Sequence, residues 1–292
     1  MKKLKFIYNP SSGDGTLKSR LDYLIERFQK SGYMMVPYRS GDINELDKAF
    51  FDIHEDYDAI CISGGDGTLS SVINIMASRR LDLPVGIFPF GTANDFAAHL
   101  NIPRDLEACC DIVEKCKIKK VDIGRANDSY FLNVCSAGLL TDIPYKTDTN
   151  LKNALGKLAY YMKGIEEIPK FTPFKMRLQY DSNIIEDNFL LFLILNGSSA
   201  GGFNKLAPKA KIDDGLMDVI AIKNTNITNI FALFLKILRG EHIGDPNLYH
   251  FHTDKLKIAC EGSCETDIDG ERGPDLPLEI EVKKHFLKVF VP

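Results

Sequence analysis

Three times within the first 100 residues, a short apolar run ends in a polar, glycine-rich turn and then opens into a helical pattern. KLKFIYNP leads through SSGDG to a face of Leu17, Leu21, Leu24, Ile25 and Phe28, closed by Gly32. YDAICIS (57–63) is apolar enough for burial on both faces of a parallel sheet. It leads through GGDG to Leu69, Val72, Ile73 and Met76 at helical spacing. PVGIF (84–88) leads through PFGTAND to a third helical pattern that reaches Leu100. Such alternation predicts a doubly wound α/β domain.

Ligands of open α/β sheets bind beyond the carboxyl ends of the strands, where all three turns must lie. Each turn offers backbone N–H groups and opens a helix whose N-terminal dipole favours phosphate. The standard fingerprints are missing. Lys18-Ser19 follows Leu17 rather than the glycine of a Walker loop, and no GxGxxG follows the first strand. What stands out is Gly64-Gly65-Asp66-Gly67-Thr68. A carboxylate beside a phosphate is unfavourable unless it serves Mg²⁺ or takes a proton from an attacking hydroxyl. Asp66 is expected in a solvent-facing turn, where replacement would leave folding little changed.

After Asp122 the pattern changes to short strand-like runs bounded by turn residues: SYFLNVCS, FKMRLQYD, NFLLFLILNG, LMDVIAI, KLKIAC, LPLEIEVK and FLKVFV. An antiparallel β-sandwich is expected, with helical stretches near 150–167 and at 227–239. The domains are therefore placed at 1–124 (α/β, nucleotide-binding) and 125–292 (β-sandwich). A net charge of -4, from 36 basic against 40 acidic residues, excludes a global basic field for nucleic acid. The longest apolar run, FLLFLIL, is far short of the ~20 residues that span a bilayer, and no signal-peptide core follows the N-terminus. Seven cysteines are expected as reduced thiols in a cytoplasmic protein.

NPSSG (9–13), GGDGT (64–68), PFGTANDFA (89–97) and VDIGRANDSYFLNVCSAG (121–138) together carry a resemblance. The chain resembles the bacterial soluble diacylglycerol kinase-type lipid kinases, which are related to sphingosine kinases and, more distantly, to NAD kinases and phosphofructokinases. NGSSAGGFNKLAPKAKIDDGLMDV (196–219), LRGEHIGDP (238–246) and DIDGE (267–271) look like the family's C-terminal motifs, in order. The resemblance implies an ATP-dependent kinase acting on the hydroxyl of a lipid alcohol such as diacylglycerol, with ATP and Mg²⁺ as cofactors. The residues assigned to the nucleotide are Asn9, Pro10, Ser11, Ser12, Gly13, Ser40, Gly64, Gly65, Asp66, Gly67, Thr68, Gly91, Thr92 and Asn94. Catalytic roles fall to Asp66, Asp95 and Glu271, the last entering the cleft from the second domain. A structural Mg²⁺ is implied at Asp214 with the carbonyls of Lys211 and Leu216. From residues alone, DIDGE is better read as a solvated β-turn, and an EF-hand is excluded because the twelfth loop position is Leu276.

Two positions depart from the family pattern. Ser71 stands where relatives usually carry glutamate, and Ala98 where they usually carry arginine. Both remove charge from the nucleotide cleft, so two other readings stay open: an NAD kinase-like enzyme, and a catalytically weak nucleotide- or lipid-binding protein. Lys152, Lys157, Lys163, Lys170, Lys175 and Arg177, against Glu166 and Glu167, would favour transient contact with an anionic membrane surface. A homodimer is compatible with the sequence. NIFALFLKIL (229–238) reads as a core helix. Alternation puts His250 and His252 on one strand face, where Cys260 and Cys264 could complete a zinc site. That cysteine spacing is loose, and reduced thiols are the favoured reading.

Overall fold

A computed structural model describes residues 1–10, 12, 16–41, 43–53, 56–138, 173–201, 203–262 and 264–292. The chain forms two compact units, Met1–Ile123 with Lys284–Pro292, and Gly124–Lys283. The second unit is therefore not the contiguous 125–292 of the sequence reading, because the last nine residues return to the first.

In the first unit, β1 (Lys2–Tyr8) pairs in parallel with both β2 (Tyr33–Arg39) and β3 (Ala59–Gly64). On its other side, β3 pairs in parallel with β4 (Val85–Pro89). The spatial order is thus 2-1-3-4, and the chain reverses its direction of travel between β1 and β3. That switch point is where doubly wound sheets open a crevice. β3 and β4 are buried along their whole length, which is why both read as continuous apolar runs. The edge strand β2 left no comparable signal: only Tyr33 and Met35 are buried, and Pro37 interrupts it. Parallel strands need crossovers. α1 (Thr16–Ser19) and α2 (Leu21–Lys30) follow β1, and a 3-10 helix, Ile43–Phe50, follows β2. α3 (Asp66–Ser78) follows β3, and α4 (Asp95–His99) and α5 (Leu106–Lys115) follow β4. Neither β2 nor α5 was anticipated, although Asp105 caps α5 by accepting the N–H of Ala108 at 2.8 Å.

Among the described residues of the second unit, neighbouring strands run antiparallel. β5 (Ile118–Ala126) runs into it from the first unit and is followed by β6 (Ser129–Phe131), β7 (Val134–Gly138), β8 (Phe174–Tyr180) and β9 (Asn183–Leu195). Next come β10 (Met217–Lys223), α6 (Ile227–Arg239), β11 (Leu248–Thr253), β12 (Lys255–Cys260), β13 (Thr266–Ile268), β14 (Glu271–Arg272) and β15 (Leu278–Phe290). β9 explains the longest apolar run. Phe192 and Ile194 point into one core with Met176, Leu178 and Ile258, while Leu191, Leu193 and Leu195 point into another with Leu233 of α6. Both faces of the strand are covered, so alternation disappears from its sequence.

The two C-terminal runs LPLEIEVK and FLKVFV, expected as separate strands, are one strand, β15. Its polar Lys283-Lys284-His285 centre mimics a turn, and His285 takes a positive φ of 52° there while its N–H donates to buried Asp122 at 2.6 Å. The helix expected near 150–167 lies outside the described residues, whereas that at 227–239 is α6. No helix among the described residues is long and apolar enough to cross a membrane. All seven cysteines are free, and burial pushes the Cys109, Cys110 and Cys264 thiols up to about 12.

Candidate active site

The turns after β1, β3 and β4 meet at the carboxyl end of the first unit's sheet. The N–H of Asn9 donates to the carbonyl of Ser63 at 3.0 Å, joining the first turn to the end of β3. Ser40, just past β2 and buried, donates its N–H (2.9 Å) and hydroxyl (3.2 Å) to the carbonyl of Tyr8. The N–H of Ser12 donates to the carbonyl of Asn9 at 3.2 Å, and Pro10 is buried. Ser11 and Gly13 lie outside the described residues.

α3 begins at Asp66 after an extended Gly65 (φ -93°, ψ -175°), and no side chain caps it. Its first N–H groups therefore face the turn with the positive end of the helix dipole behind them. Gly65 and Gly91 make this geometry reachable. A Cβ on Gly91 would stand 2.2 Å from the Cα of Gly65, and one on Gly65 would stand 3.2 Å from the Cα of Gly91. The two turns thus touch backbone to backbone, an approach that only glycine permits. At Gly64, a Cβ would meet the side chain of Thr68 at 2.7 Å.

Asp66 is not the freely solvated turn residue expected from sequence. It is half-buried, and its carboxylate accepts the backbone N–H groups of Asp95 and Phe96, both at 3.2 Å. A carboxylate at the first residue of one helix thereby holds the start of another, 29 residues away. Asn94 adopts the left-handed conformation (φ 58°, ψ 45°), and its buried amide binds its own loop. Nδ2 donates to the carbonyls of Pro89 and Gly91, each at 2.8 Å, and Oδ1 accepts the Gly91 N–H at 3.0 Å. Thr92 is exposed. Ser71 donates its hydroxyl to the carbonyl of Gly67 at 2.9 Å, so it closes on its own helix where a glutamate would reach out. Ala98 is exposed.

Two arginines escaped the sequence reading. Arg104 donates to the carbonyls of Thr92 (3.0 Å) and Ala93 (2.8 Å), and with Arg20, Ser12, Leu17 and Phe90 it lines a cavity of about 360 Å³. That volume lies in the range of small-molecule sites. Neither arginine carries a local motif, so only the fold assembles them.

In the second unit, Glu271 opens the exposed β14. The DIDGE turn around it divides its carboxylates by role. Asp269 accepts the N–H groups of Leu132 (2.7 Å), Asn133 (2.9 Å) and Val134 (3.0 Å), anchoring the turn across 137 to 135 positions of sequence. Asp267 accepts the Gly270 N–H at 3.0 Å and is pushed up to about 6, chiefly by burial, with Asp269 and Glu271 adding repulsion. Its pKa in the fold exceeds that of the unfolded chain, so its contribution to stability is complete below about pH 4 and is lost as the pH rises through about 6. Asp267→Asn keeps an acceptor for Gly270 and removes the titration. Thermal melts from pH 4 to 8 are expected to show the variant gaining on wild type as the pH rises from about 4 to about 6 and holding that gain above it. Parallel pH profiles for the two proteins would refute the assignment.

Lys211, Asp214 and Leu216 are exposed around Gly215, whose φ of 78° sets the turn. Asp214 accepts the Leu216 N–H at 3.1 Å. One carboxylate with main-chain carbonyls is an oxygen-only donor set, suited to a hard cation. Of the basic residues considered for membrane contact, Lys175 pairs with Glu261 (2.6 Å) and Arg177 with Glu186 (3.4 Å), while Lys152, Lys157, Lys163 and Lys170 lie outside the described residues.

The family model for the diacylglycerol kinase catalytic domain matches residues 3–126, and that for the YegS C-terminal NAD kinase beta sandwich-like domain matches 133–291. Diacylglycerol kinases of Staphylococcus aureus strains JH9 and Newman are 34% identical over 292 residues, covering 100% of this chain and 93% of theirs. A crystal structure from Bacillus anthracis str. Sterne, provisionally assigned as a diacylglycerol kinase, matches with a TM-score of 0.85 at 27% identity. That match covers 100% of this chain and 95% of the other.

Proposed function

We infer the reaction from one premise: this chain belongs to the diacylglycerol kinase family and is a lipid kinase. The reading is transfer of the γ-phosphoryl group of ATP to the hydroxyl of a lipid alcohol such as diacylglycerol. The observation that carries it is the contact between the two glycine turns. Gly65 lies against Gly91 too closely to admit a Cβ on Gly91, and the Asp66 carboxylate holds the N–H groups of Asp95 and Phe96, so that in this reading the turns form a backbone-lined cradle. Such a cradle binds phosphate through N–H groups and a helix dipole.

In this reading Asn9 to Gly13, Ser40, Gly64 to Thr68, Gly91, Thr92 and Asn94 surround the nucleotide, and Arg104 adds positive charge beside Thr92. Asp66 and Asp95 supply carboxylate oxygens suited to a divalent cation, and Mg²⁺ is the ion proposed. When bound, that cation neutralises charge on the transferring phosphoryl group. Asp66 or Glu271 takes the proton of the attacking hydroxyl. Lys211, Asp214 and Leu216 hold a second, structural Mg²⁺. Because the acceptor resides in a bilayer, turnover requires transient contact with a membrane surface.

Incubation with radiolabelled ATP, Mg²⁺ and a panel of lipid alcohols tests the proposal. Labelled phospholipid is expected from diacylglycerol or a close analogue. Silence across the panel would overturn it. Phosphorylation of NAD in place of lipid would favour the NAD kinase-like reading, and calorimetric ATP binding without turnover would favour the weak binding protein.

A further inference from the structure

The histidines at 250 and 252 find a partner that the sequence did not suggest. β10 and β11 are antiparallel, with Asp218 opposite His252 and Ile220 opposite His250. Residues two apart on a strand share a face, and cross-strand partners share it too. Asp218, His250 and His252 therefore converge on one side of the sheet. A single carboxylate oxygen, Asp218 Oδ1, stands 2.9 Å from His250 Nε2 and 3.0 Å from His252 Nε2. All three donor atoms lie within 4.8 Å of one another. Cys260 and Cys264 take no part in the group.

We propose that Asp218, His250 and His252 form a binding site for a borderline divalent transition-metal ion such as Zn²⁺. Two imidazole nitrogens and one carboxylate oxygen suit Zn²⁺ or Co²⁺ and disfavour Mg²⁺ or Ca²⁺, which take oxygen ligands. Ligands about 2.1 Å from a common ion lie roughly 3.0–3.4 Å apart, so both Asp–His pairs already stand at ligand spacing. The His–His pair closes by rotation of His252, whose side chain is 45% exposed, against 15% for His250 and 6% for Asp218. The buried side of the site is thus rigid, and the exposed side leaves a coordination position to solvent. The competing account is a plain network in which Asp218 accepts an N–H from each imidazole. The two accounts differ in what an added ion does.

Full-length protein is titrated with Co²⁺ alone, followed by visible absorption and calorimetry. One equivalent is expected to bind with nitrogen–oxygen ligand-field bands and no thiolate charge-transfer band, and Zn²⁺ should displace it. His252→Ala, at an exposed strand position, is expected to fold normally and to weaken binding on the order of 100-fold or more. Cys260→Ser with Cys264→Ser should bind as wild type, and excess Mg²⁺ should leave the bands unchanged. As a check free of substitutions, Zn²⁺ should shift the ring NMR signals of His250 and His252 in the wild type. Absence of saturable binding, equal affinity in His252→Ala, loss of binding in the cysteine variant or displacement by Mg²⁺ would each overturn the proposal.

Discussion

Asp66→Asn is expected to lower lipid phosphorylation by about 10²-fold or more, because it removes the charge while keeping the shape. The structure adds a second effect that sequence alone did not foresee. The Asp66 carboxylate accepts two backbone N–H groups at the start of α4, and the asparagine amide offers an acceptor to only one of them. The other N–H would face an NH₂ group, at a cost of about 1–3 kcal/mol. A modest fall in Tm should therefore accompany the loss of turnover. The two effects separate when turnover at saturating Mg-ATP and diacylglycerol is normalised to the folded fraction measured by circular dichroism. If the folded variant turns over within tenfold of wild type, Asp66 is a helix-positioning residue and the proton or metal role is wrong.

Gly91→Ala is expected to damage both stability and nucleotide binding. Its Cβ would stand 2.2 Å from the Cα and 2.9 Å from the N of Gly65, and 2.7 Å from Oδ1 of Asn94. Two of those atoms are backbone, and the third belongs to an amide already pinned by the carbonyls of Pro89 and Gly91. Nothing nearby can swing aside, so the turns must separate. Overpacking of this kind costs about 1–3 kcal/mol, which in a chain of this size lowers Tm by roughly 3–10 °C. Separation of the turns also opens the proposed phosphate cradle, so ATP affinity measured by calorimetry should fall with stability. Thr92→Ala, at the exposed neighbouring position, should change Tm little. A Gly91→Ala protein with wild-type Tm and ATP affinity would show that the close approach of the turns is not required.

Local chemistry made much of this protein legible before its structure. Buried parallel strands announce themselves as apolar runs, and glycine turns mark the strand ends wherever a helix must begin at once. That is why Gly64, Gly65, Gly67 and Gly91 were singled out together. The edge strand β2 escaped because half-exposed backbone imposes little on side-chain choice, and its Pro37 argues against a strand. The continuity of β15 escaped because Lys283-Lys284-His285 carries the polarity of a loop.

The division of labour among the acidic residues followed another rule. Asp66, Asp269 and Glu271 are carboxylates beside glycines, with Asp267 in the same turn as the last two, and sequence supplies no ground for ranking them by environment. Hydrogen bonds spanning 29 positions, for Asp66, and 137, for Asp269, show which carboxylates hold backbone in place. The same holds for His250 and His252, whose partner is Asp218, some 32 residues away across a strand pair rather than in the nearby cysteines. Sequence by itself determined most of the elements and the positions of the glycine turns, since strand burial, glycine backbone freedom and helix starts depend on near neighbours. Only the tertiary structure decided which polar atoms meet, because hydrogen bonds and ligand sets form between atoms a few ångströms apart, whatever their separation along the chain.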